Sequence, residues 1–520
     1  MTPTSFVKLL PALFTALLLT LSRSLSAADY YLSTDGRDEA AGTSAQTPWR
    51  SLDRLRRVTL RPGDRVRLHG GDTFAGGLTV ENVRGDARHP LTISSYGRGR
   101  ATINAGAGDG LFFRNCSGIV VDNIDLAGAG YGANRGTGIR VLNTLPGAVQ
   151  LPFVRISRCV AHGFGKEGIY IGSANFGPLP LPDGSASAPP DSSQSGFSDV
   201  RIDRCTVYDN VCYGIYVTGV WDAKTTAYAN RDVTIWRCVA YRNPGDPDYM
   251  ANHSGSGILL DNTQDGRIDR CVAYGNGFRC NTRVGGPCGI WTHASDRIVI
   301  SRCTSVNNRT GRGVDGAGFD FDAGVSNSVL HHNTSGFNDG AGYLLYVYAD
   351  APHRFENNVC HHNVSVNDGR RNDYGGFFIR SDGRGIRGDI GNTRLHHNRI
   401  YQTPSPNRQS SGIYLGNTIG TELYKNTFVT EGDVPVLRIK PNHTDLTIHQ
   451  NSYWSRSDSV RIDMDIANSD KPASVPVFRD VRQWSRETGY EQQNGRFAGR
   501  TKRPGLRFVR RVEQVAERYR

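Results

Sequence analysis

The sequence lacks several features that would assign it to common functional classes. After residue 28, no stretch reaches the roughly 18 consecutive apolar residues that a membrane helix needs. No two of the ten cysteines have a Cys-x-x-Cys spacing, so a metal site built from them is not expected. The formal charge of +12 favours an anionic partner. Only seven of the 61 basic residues are lysine, however, and arginine is dispersed along the chain. We find no nucleic-acid-binding motif and expect neither nucleic acid nor membrane as a partner.

Residues 1–28 have the pattern of a secretory signal peptide. A basic residue, Lys8, precedes an apolar run over residues 9–21, and small residues occupy positions 26–28. We therefore expect cleavage near Asp29 and a secreted or periplasmic mature protein.

Most of the remaining chain is a repeat. The segments VRISRCVA, VRIDRCTV, VTIWRCVA, GRIDRCVA and IVISRCTS align a cysteine, and later segments such as LHHNTS and CHHNVS place an asparagine in the same column. Successive members lie 25 to 46 residues apart, which is typical of a solenoid. The column comprises Cys159, Cys205, Cys238, Cys271 and Cys303, followed by Asn333, Asn363, Asn398, Asn426 and Asn451.

Apolar and polar residues alternate on both sides of this column in runs too short for helices, which predicts strands. Strands that recur once per coil must pair in parallel. We therefore predict an all-β, right-handed parallel β-helix with inward stacks of thiols and of hydrogen-bonded amides. We divide the chain into the signal peptide (1–28), an N-terminal strand and capping helix (29–62), the β-helix (63–455) and an arginine-rich C-terminal tail or cap (456–520).

The ten cysteines have two predicted roles. The five in the column would have parallel side chains one coil apart, a poor geometry for disulfides, so we expect buried thiols. Cys280 and Cys288 share one loop and could form a disulfide; the sequence does not decide whether they do. Three His-His pairs, beginning at residues 331, 361 and 396, are assigned surface and turn roles because neighbours on a strand face opposite sides.

A second strand in each coil begins at glycine, as in GIYIG, GILLD, GFDFD and GFFIR. The first and third residues after the glycine are apolar in every copy except for Thr292, so the second and fourth should face outward to solvent. One outward column is Tyr170, Tyr216, Leu259, Trp291, Asp320, Leu344, Phe378 and Tyr414. The other is Gly172, Thr218, Asp261, His293, Asp322, Tyr346, Arg380 and Gly416.

The middle of these columns is a candidate active site. Asp320 and Asp322 lie on one face of one strand, with Cβ atoms about 6.5–7 Å apart from the strand rise. Asp261 is two coils from Asp322, and His293 lies between them. Such carboxylate separations suit inverting glycoside hydrolysis. The same oxygen cluster could instead bind Ca²⁺, with Arg380 or Lys166 as the base of a lyase.

Two simpler interpretations apply to these residues. Carboxylates occur by chance on solvated sheet faces, and Arg380 could merely neutralise Asp322. Asp315, Asp339 and Asp373 each lie three residues before a strand glycine. Asp315 and Asp339 directly precede another glycine and are interpreted as turn formers more readily than as catalytic groups, although they would border the same groove.

Several stretches resemble the pectate-lyase-like superfamily of secreted β-helix proteins. They are the opening YYLSTDGRDEAAGTSAQTPWRSLDRL with RPGDRVRLHGGDTF, the segment GAGFDFDAGVSNSVLHHNTSGFNDGAGY, and the ending FRDVRQWSRETGY. The resemblance covers nearly the whole mature chain. It implies a right-handed parallel β-helix with a polysaccharide lyase or hydrolase activity, and a helix carrying Trp49, Leu52, Leu55 and Val58 that closes the solenoid.

The chain departs from the better-known members. The Asn-Thr-Asp and Asp-Asp pairs of polygalacturonase-like hydrolases are absent. Arg438, Ile439 and Lys440 are similar to their Arg-Ile-Lys element but lie about four coils from Asp322, too far for one site. Ca²⁺-dependent lyases use a lysine or arginine base, and lysine is almost absent from this groove.

We predict a secreted carbohydrate-active enzyme, more readily a hydrolase than a lyase. Asp320 and Asp322 are the predicted acid and base, and Asp261 and His293 assist them. The predicted substrate-binding residues are Arg380, Tyr346, Trp291, Tyr216, Phe378 and Asp339. The expected partner is a polysaccharide, which could be anionic, and the protein is expected to be a monomer. No cofactor is expected to be required, although bound Ca²⁺ is an alternative. The competing class is a non-catalytic binding β-helix.

Overall fold

The computed structural model describes residues 27–173, 194–220, 226–372, 374–382, 388–406, 410–440, 442–457, 459–464 and 476–519. Most of the predicted signal peptide (residues 1–26) and Asp373 lie outside these ranges.

Three long sheets run the length of the described chain, and each coil contributes a strand to each of them. Equivalent residues of successive coils stand in register, as in Ile258, Ile290 and Phe319. All pairs within these sheets are parallel except the last pair of the second sheet, which is antiparallel. The predicted parallel β-helix is confirmed.

The first sheet contains Asp29–Leu32, Arg65–His69, Leu91–Tyr96, Ile119–Asp122, Gln150–Ser157, Gly196–Asp203, Asn230–Trp236, Thr263–Asp269, Asp296–Ser301, Val329–His331, Val359–His361, Arg394–His396, Glu422–Tyr424 and Thr447–His449. The second sheet contains Leu78–Glu81, Leu111–Arg114, Ile139–Asn143, Glu167–Ser173, Tyr213–Thr218, Ser256–Asp261, Cys288–His293, Ala317–Asp322, Tyr343–Val347, Phe377–Ser381, Ile413–Gly416, Pro435–Ile439, Arg461–Met464 and Val477–Phe478. The third sheet contains Thr73–Ala75, Ala101–Gly106, Ile124–Gly128, Val160–His162, Thr206–Tyr208, Val239–Tyr241, Val272–Tyr274, Thr304–Val306, Thr334–Gly336, Val364–Val366, Arg399–Gln402, Thr427–Thr430 and Ser452–Ser455. Two small sheets contain Phe355–Glu356, Ile390–Gly391 and Thr418–Ile419, and Gln492–Gln493 with Arg496–Phe497.

The interior of the coils holds one continuous hydrophobic core. The apolar residues that follow each strand glycine of the second sheet, such as Ile169, Ile171, Ile413 and Leu415, are buried in it. The inward orientation predicted for these positions is therefore confirmed.

The predicted column of thiols and amides lies between the first and third sheets. Its five cysteines are buried, and all ten cysteines of the chain are free thiols. Cys280 and Cys288 therefore do not form the disulfide that the sequence left open. In the second half, each Asn Nδ2 donates to the Oδ1 of the next coil, at 3.1 Å from Asn333 to Asn363 and 3.0 Å from Asn398 to Asn426.

A second amide ladder was not predicted. It lies five residues after six consecutive members of the first column, Cys205 to Asn363, and runs through Asn210, Asn243, Asn276, Asn308, Asn338 and Asp368. The sequence signal for this second ladder is its fixed distance of five residues from the first column. An alignment of the first column alone does not reveal it.

Both ends of the solenoid are covered. At the N-terminus the helix α1 spans only Leu52–Leu55, while Trp49 precedes it in a β-bridge to Leu32 and is buried in the same core. At the C-terminus α2 (Val481–Thr488) precedes Glu491, whose carboxylate accepts from the last amide of the first ladder, Asn451 Nδ2, at 2.6 Å.

A third helix, α3 (Arg507–Arg518), lies on the third sheet. Its apolar residues Phe508, Val509 and Val512 pack in one cluster with Val366 and Val429 of that sheet. Among the described residues, none of the three helices has the length and apolar character that a membrane crossing requires.

Candidate active site

The outward residues of the second sheet lie in the two predicted columns. The register joins Asp261 to His293, His293 to Asp322, Asp322 to Tyr346 and Tyr346 to Arg380. The alignment of glycine-led strands on which the candidate site depends is therefore confirmed.

The predicted exposure of this face is wrong. Trp291 and Tyr216 are each only 3% exposed and Phe378 is 7% exposed. They belong to a second hydrophobic cluster outside the coils, which also contains Leu259 and Leu344. Loops between the third and second sheets cover this cluster, so these aromatic side chains are walls of a covered site instead of open stacking platforms.

A cavity of about 620 Å³ lies above the centre of the second sheet. Two loop segments, residues 251–253 and 283–286, line one side of it, and both belong to connections that enter the second sheet. The cavity lining contains nine of the ten predicted site residues. They are Asp261, His293, Asp320, Asp322, Tyr216, Trp291, Tyr346, Phe378 and Arg380.

Asp339 is the predicted residue that does not line this cavity. Its carboxylate accepts from the backbone N–H of Thr310 at 3.0 Å and from Arg309 Nη1 at 3.1 Å. These contacts hold the neighbouring loop in place, as the turn interpretation of Asp339 implies.

His293 is held by a buried carboxylate. Its Nδ1 lies 2.9 Å from Asp261 Oδ1, while Asp261 Oδ2 accepts from Thr218 Oγ1 at 2.6 Å. Burial lowers the pKa of His293, but the charge and hydrogen bond of Asp261 outweigh burial and raise this pKa above its usual value. The other nitrogen, Nε2, lies 3.2 Å from the Tyr348 hydroxyl.

Asp320 and Asp322 differ in environment although one strand carries both. Asp320 is 2% exposed, and burial together with the charges of Asp322 and Asp315 raises its pKa well above the usual range. Its Oδ2 accepts from Cys288 Sγ at 3.6 Å. Burial raises the pKa of Asp322 to about 6, opposed by His293 and by the Ala323 N–H.

A third carboxyl group lies in the cavity, on a residue whose sequence position favours a turn-forming role. Asp315 precedes the same strand at a left-handed position, with φ +56°, and lines the cavity wall. Burial raises its pKa to about 6, while hydrogen bonds from Tyr374 and the Gly286 N–H act in the opposite direction. Its position three residues before Gly318 was the only signal available in the sequence.

Several polar atoms in the cavity have no partner among the described residues. They are Asp320 Oδ1, Asp322 Oδ1 and Trp291 Nε1. Buried polar groups normally form hydrogen bonds, so unpartnered polar atoms on residues that line one cavity are typical of a polar binding site.

Two further cavity residues, His253 and Tyr348, were not predicted from the sequence. His253 lines the cavity, with Nδ1 3.1 Å from the Tyr213 hydroxyl. Burial and the neighbouring His293 lower the pKa of His253 to about 3, so its ring is neutral. Tyr348 reaches the cavity from beyond the Tyr343–Val347 strand. The sequence offered no periodic signal for either residue because both lie outside the strands.

No cluster of three or more His, Cys, Asp or Glu side chains within the described ranges is arranged to hold a metal ion.

Comparisons with known proteins relate the chain to other β-helices. A family model described as "Periplasmic copper-binding protein (NosD)" matches residues 239–465. A lacto-N-biosidase of Bifidobacterium longum subsp. longum is 39% identical over 82 residues, which is 15% of this chain and 5% of that protein. The chain thus matches only a small part of this curated relative.

Among solved structures, a GH136 lacto-N-biosidase from Eubacterium ramulus superposes with a TM-score of 0.51 and 18% identity, over 79% of this chain and 70% of that one. The A-module of a mannuronan C-5 epimerase from Azotobacter vinelandii has a TM-score of 0.40 and 15% identity, over 74% and 91% of the two chains. The chain shares the parallel β-helix fold with the lacto-N-biosidase structure.

Proposed function

We propose that the protein is a carbohydrate-active enzyme that hydrolyses glycosidic bonds in the cavity above the second sheet. The observation that carries this proposal is the grouping of Asp315, Asp320 and Asp322, whose pKa values are all raised, around one cavity. Glycosidases use two carboxyl groups, one protonated and one ionised at the start of the reaction. The two lacto-N-biosidases found by comparison support this reaction class.

Asp315 and Asp322 form the reacting pair in this proposal. Both are partly exposed to the cavity, whereas Asp320 is almost completely covered. A general acid must come within hydrogen-bonding distance of the leaving oxygen, which favours the accessible groups. Each of the two pKa values is raised to about 6, and the charge of Asp322 contributes to the shift of Asp315. One of the pair can therefore hold the proton while the other is ionised.

This assignment changes the role first predicted for Asp320. Burial and the charges of Asp322 and Asp315 raise the pKa of Asp320 well above its usual range, which favours its protonated form. A protonated carboxyl group can donate a hydrogen bond, and its Oδ1 has no partner in the described residues. We assign Asp320 a positioning role beside the pair, since its side chain is almost completely covered.

His293 and Asp261 act as a positioning pair. Asp261 fixes the orientation of the ring and favours its protonated form. A protonated His293 stabilises the negative charge of Asp322, because it lowers the pKa of that group. The pair therefore helps to keep Asp322 ionised at a pH where burial alone would protonate it.

The lining of the cavity carries charges of both signs. It has four aspartates and two arginines, Arg283 and Arg380. The covered shape and a volume within the usual range for small-molecule sites favour the end of a glycan chain or a short oligosaccharide.

We also propose that the protein is exported, as the pattern of residues 1–28 predicts. N-terminal sequencing of the protein recovered from its native compartment tests this directly. A mature N-terminus near Asp29 is expected, and an intact Met1 would contradict export by a cleaved signal.

The catalytic proposal is tested with a panel of neutral and uronate oligosaccharides and aryl glycosides, with and without a chelator. We expect new reducing ends without an unsaturated product. Asp315→Ala and Asp322→Ala should each lower kcat/KM about 10²–10⁴-fold on natural linkages. The matched control is Asp265→Asn, because Asp265 forms an exposed ion pair with Arg297 on the first sheet.

An aryl glycoside with a good leaving group then separates the two roles. It needs no protonation, so the variant that lacks the general acid should recover activity and the variant that lacks the other carboxylate should not. Unsaturated products would establish a lyase instead. Binding without turnover that is unchanged in both variants would favour a non-catalytic binding protein.

A further inference from the structure

Exposed large apolar side chains are concentrated in the loops on the cavity side of the solenoid. The described part of the chain has eight such side chains. Isolated exposed apolar residues are normal on a protein surface, whereas a group of them marks a place of contact. Five of the eight lie in connections that lead from the third sheet to the second, namely Tyr131, Tyr249, Met250, Phe278 and Val284.

Three of these residues form one edge of the cavity, which we call the apolar lip: Tyr249, Met250 and Val284. Val284 lines the cavity and is 58% exposed. Met250 is 53% exposed and Tyr249 is 42% exposed, and both directly precede the segment 251–253 of the cavity lining. The lip therefore begins in the cavity and continues onto the outer surface.

Hydrogen bonds between two loops of successive coils hold the lip together. The buried Thr282 hydroxyl donates to the carbonyl oxygen of Met250 at 3.0 Å and accepts from the N–H of Val284 at 3.0 Å. Asn281 Nδ2 donates to the carbonyl oxygen of Pro247 at 3.1 Å. Because one hydroxyl contacts both backbones, Met250 and Val284 are neighbours although 33 residues separate them along the chain.

The loop that carries Val284 also contacts the candidate acid Asp315. The N–H of Gly286 donates to the Asp315 carboxyl group, and a β-carbon at Gly286 would lie only 2.6 Å from Asp315 Cβ. The lip and Asp315 therefore lie on the same side of the cavity. A general acid gives its proton to the leaving oxygen, so with Asp315 as the acid the leaving group departs on the side of the lip.

We propose that the apolar lip binds the leaving-group side of the substrate, and that this part of the substrate is a hydrophobic aglycone. The substrate class is then a glycoside whose sugar occupies the cavity and whose alkyl chain lies over Met250 and Val284. This inference rests on the proposed function, with Asp315 as the general acid. The side chains of Met250 and Val284 have no hydrogen-bond donor for sugar hydroxyls, and a flexible thioether adapts to apolar ligands of irregular shape.

The lip should act on binding and leave the chemical step unchanged. Its side chains would contact the alkyl chain equally before and during cleavage, and such uniform contacts change KM without changing kcat. Methyl and octyl glycosides of one sugar differ only in this chain and have similar leaving groups. A tenfold preference for the octyl member corresponds to about 1.4 kcal/mol, which burial of about two methylene groups supplies.

The probes are methyl and octyl glycosides of glucose, galactose and N-acetylglucosamine, in both anomers and below the concentration at which micelles form. Binding is measured by calorimetry on the full chain carrying Asp322→Ala, and turnover is measured on the parent. We expect at least one octyl glycoside to bind at least tenfold more tightly than its methyl partner, with KM lowered to the same extent and kcat unchanged. The double variant Met250→Gln, Val284→Thr should reduce this preference below threefold.

The matched control is Val477→Thr, which makes the same substitution at a residue that is 44% exposed at the C-terminal end of the second sheet. It should keep the full preference, and circular dichroism checks the fold of each variant. Calorimetry needs no turnover, so the two proposals fail separately. Octyl preference without hydrolysis would contradict the hydrolase alone.

Four results would overturn the lip itself. They are no binding of either glycoside, equal affinity for the two, a preference that survives in the double variant, and a preference lost equally in the control. Without octyl preference, retention of the parent on phosphatidylcholine vesicles that the double variant loses would assign the lip to a membrane surface. Dimerisation that the double variant abolishes, again without octyl preference, would assign it to a second copy of the chain.

Discussion

Replacing Asp368 by asparagine should stabilise the protein, and increasingly so as the pH rises. Asp368 ends the second amide ladder, where its Oδ1 accepts from Asn338 Nδ2 at 2.8 Å and its Oδ2 accepts from Ser365 Oγ at 2.7 Å. One coil earlier, Asn338 Nδ2 also contacts the serine three residues before it, Ser335, at 3.0 Å. An asparagine at position 368 would therefore repeat the hydrogen bonds of its neighbours without a charge.

The magnitude follows from the pKa of Asp368, which burial raises from 3.8 to about 7. A carboxyl group with a raised pKa in the folded state stabilises folding most below its unfolded pKa, and this advantage is lost as the pH rises toward the folded pKa. The shift corresponds to about 4 kcal/mol between pH 4 and pH 7 at 1.36 kcal/mol per unit. Asparagine does not ionise and loses nothing over this range.

The assay is thermal melting of the parent and of Asp368→Asn between pH 5 and pH 8.5. At about 2.1 cal/mol/K per residue over roughly 490 residues, 4 kcal/mol corresponds to a difference in Tm of about 4 °C. The difference should grow from pH 5 to pH 7 and then stay constant. The reciprocal variant Asn338→Asp should show the opposite trend. A lower Tm for Asp368→Asn at pH 8, or a difference that does not depend on pH, would refute the reasoning.

Three further changes test the ladders and the cavity. Asn363→Ala removes four buried hydrogen bonds and should destabilise the fold by about 3–6 kcal/mol, measured by denaturant melting. Asp261→Asn removes the contact that raises the pKa of His293, so this pKa should fall in a proton NMR titration. Tyr374→Phe removes a hydrogen bond that lowers the pKa of Asp315, so the basic limb of the pH profile of kcat/KM, which reports the protonated acid, should move to higher pH.

Each of these has a contradicting result. Parent-like stability of the alanine variant would mean that the amide ladder contributes little. If the pKa of His293 is unchanged or raised in Asp261→Asn, the charge of Asp261 does not determine that pKa. A basic limb that stays in place in Tyr374→Phe would assign that limb to a group other than Asp315.

The fold could be predicted because each coil repeats the same local rules. Two local patterns determine which side chains point inward. One is a small or amide residue in a fixed column, and the other is a pair of apolar residues two positions apart after a glycine. Asn333 and Asn363 could therefore be assigned to the interior from sequence alone, and Asp261, His293 and Asp322 to one outward face. Regular strand spacing converts these sequence positions into spatial neighbours.

The sequence alone thus determined the solenoid and the side of it on which the candidate site lies. Only the tertiary structure decided that loops cover this side, that Asp315 enters the cavity while Asp339 does not, and that the two rings of each His-His pair lie within hydrogen-bonding distance instead of diverging. The reason is physical. Strand periodicity fixes the direction of side chains only within extended segments. The loops that cover a sheet face, the carboxyl groups on those loops and the residues in left-handed conformations depend on how segments of different length fold back across neighbouring coils.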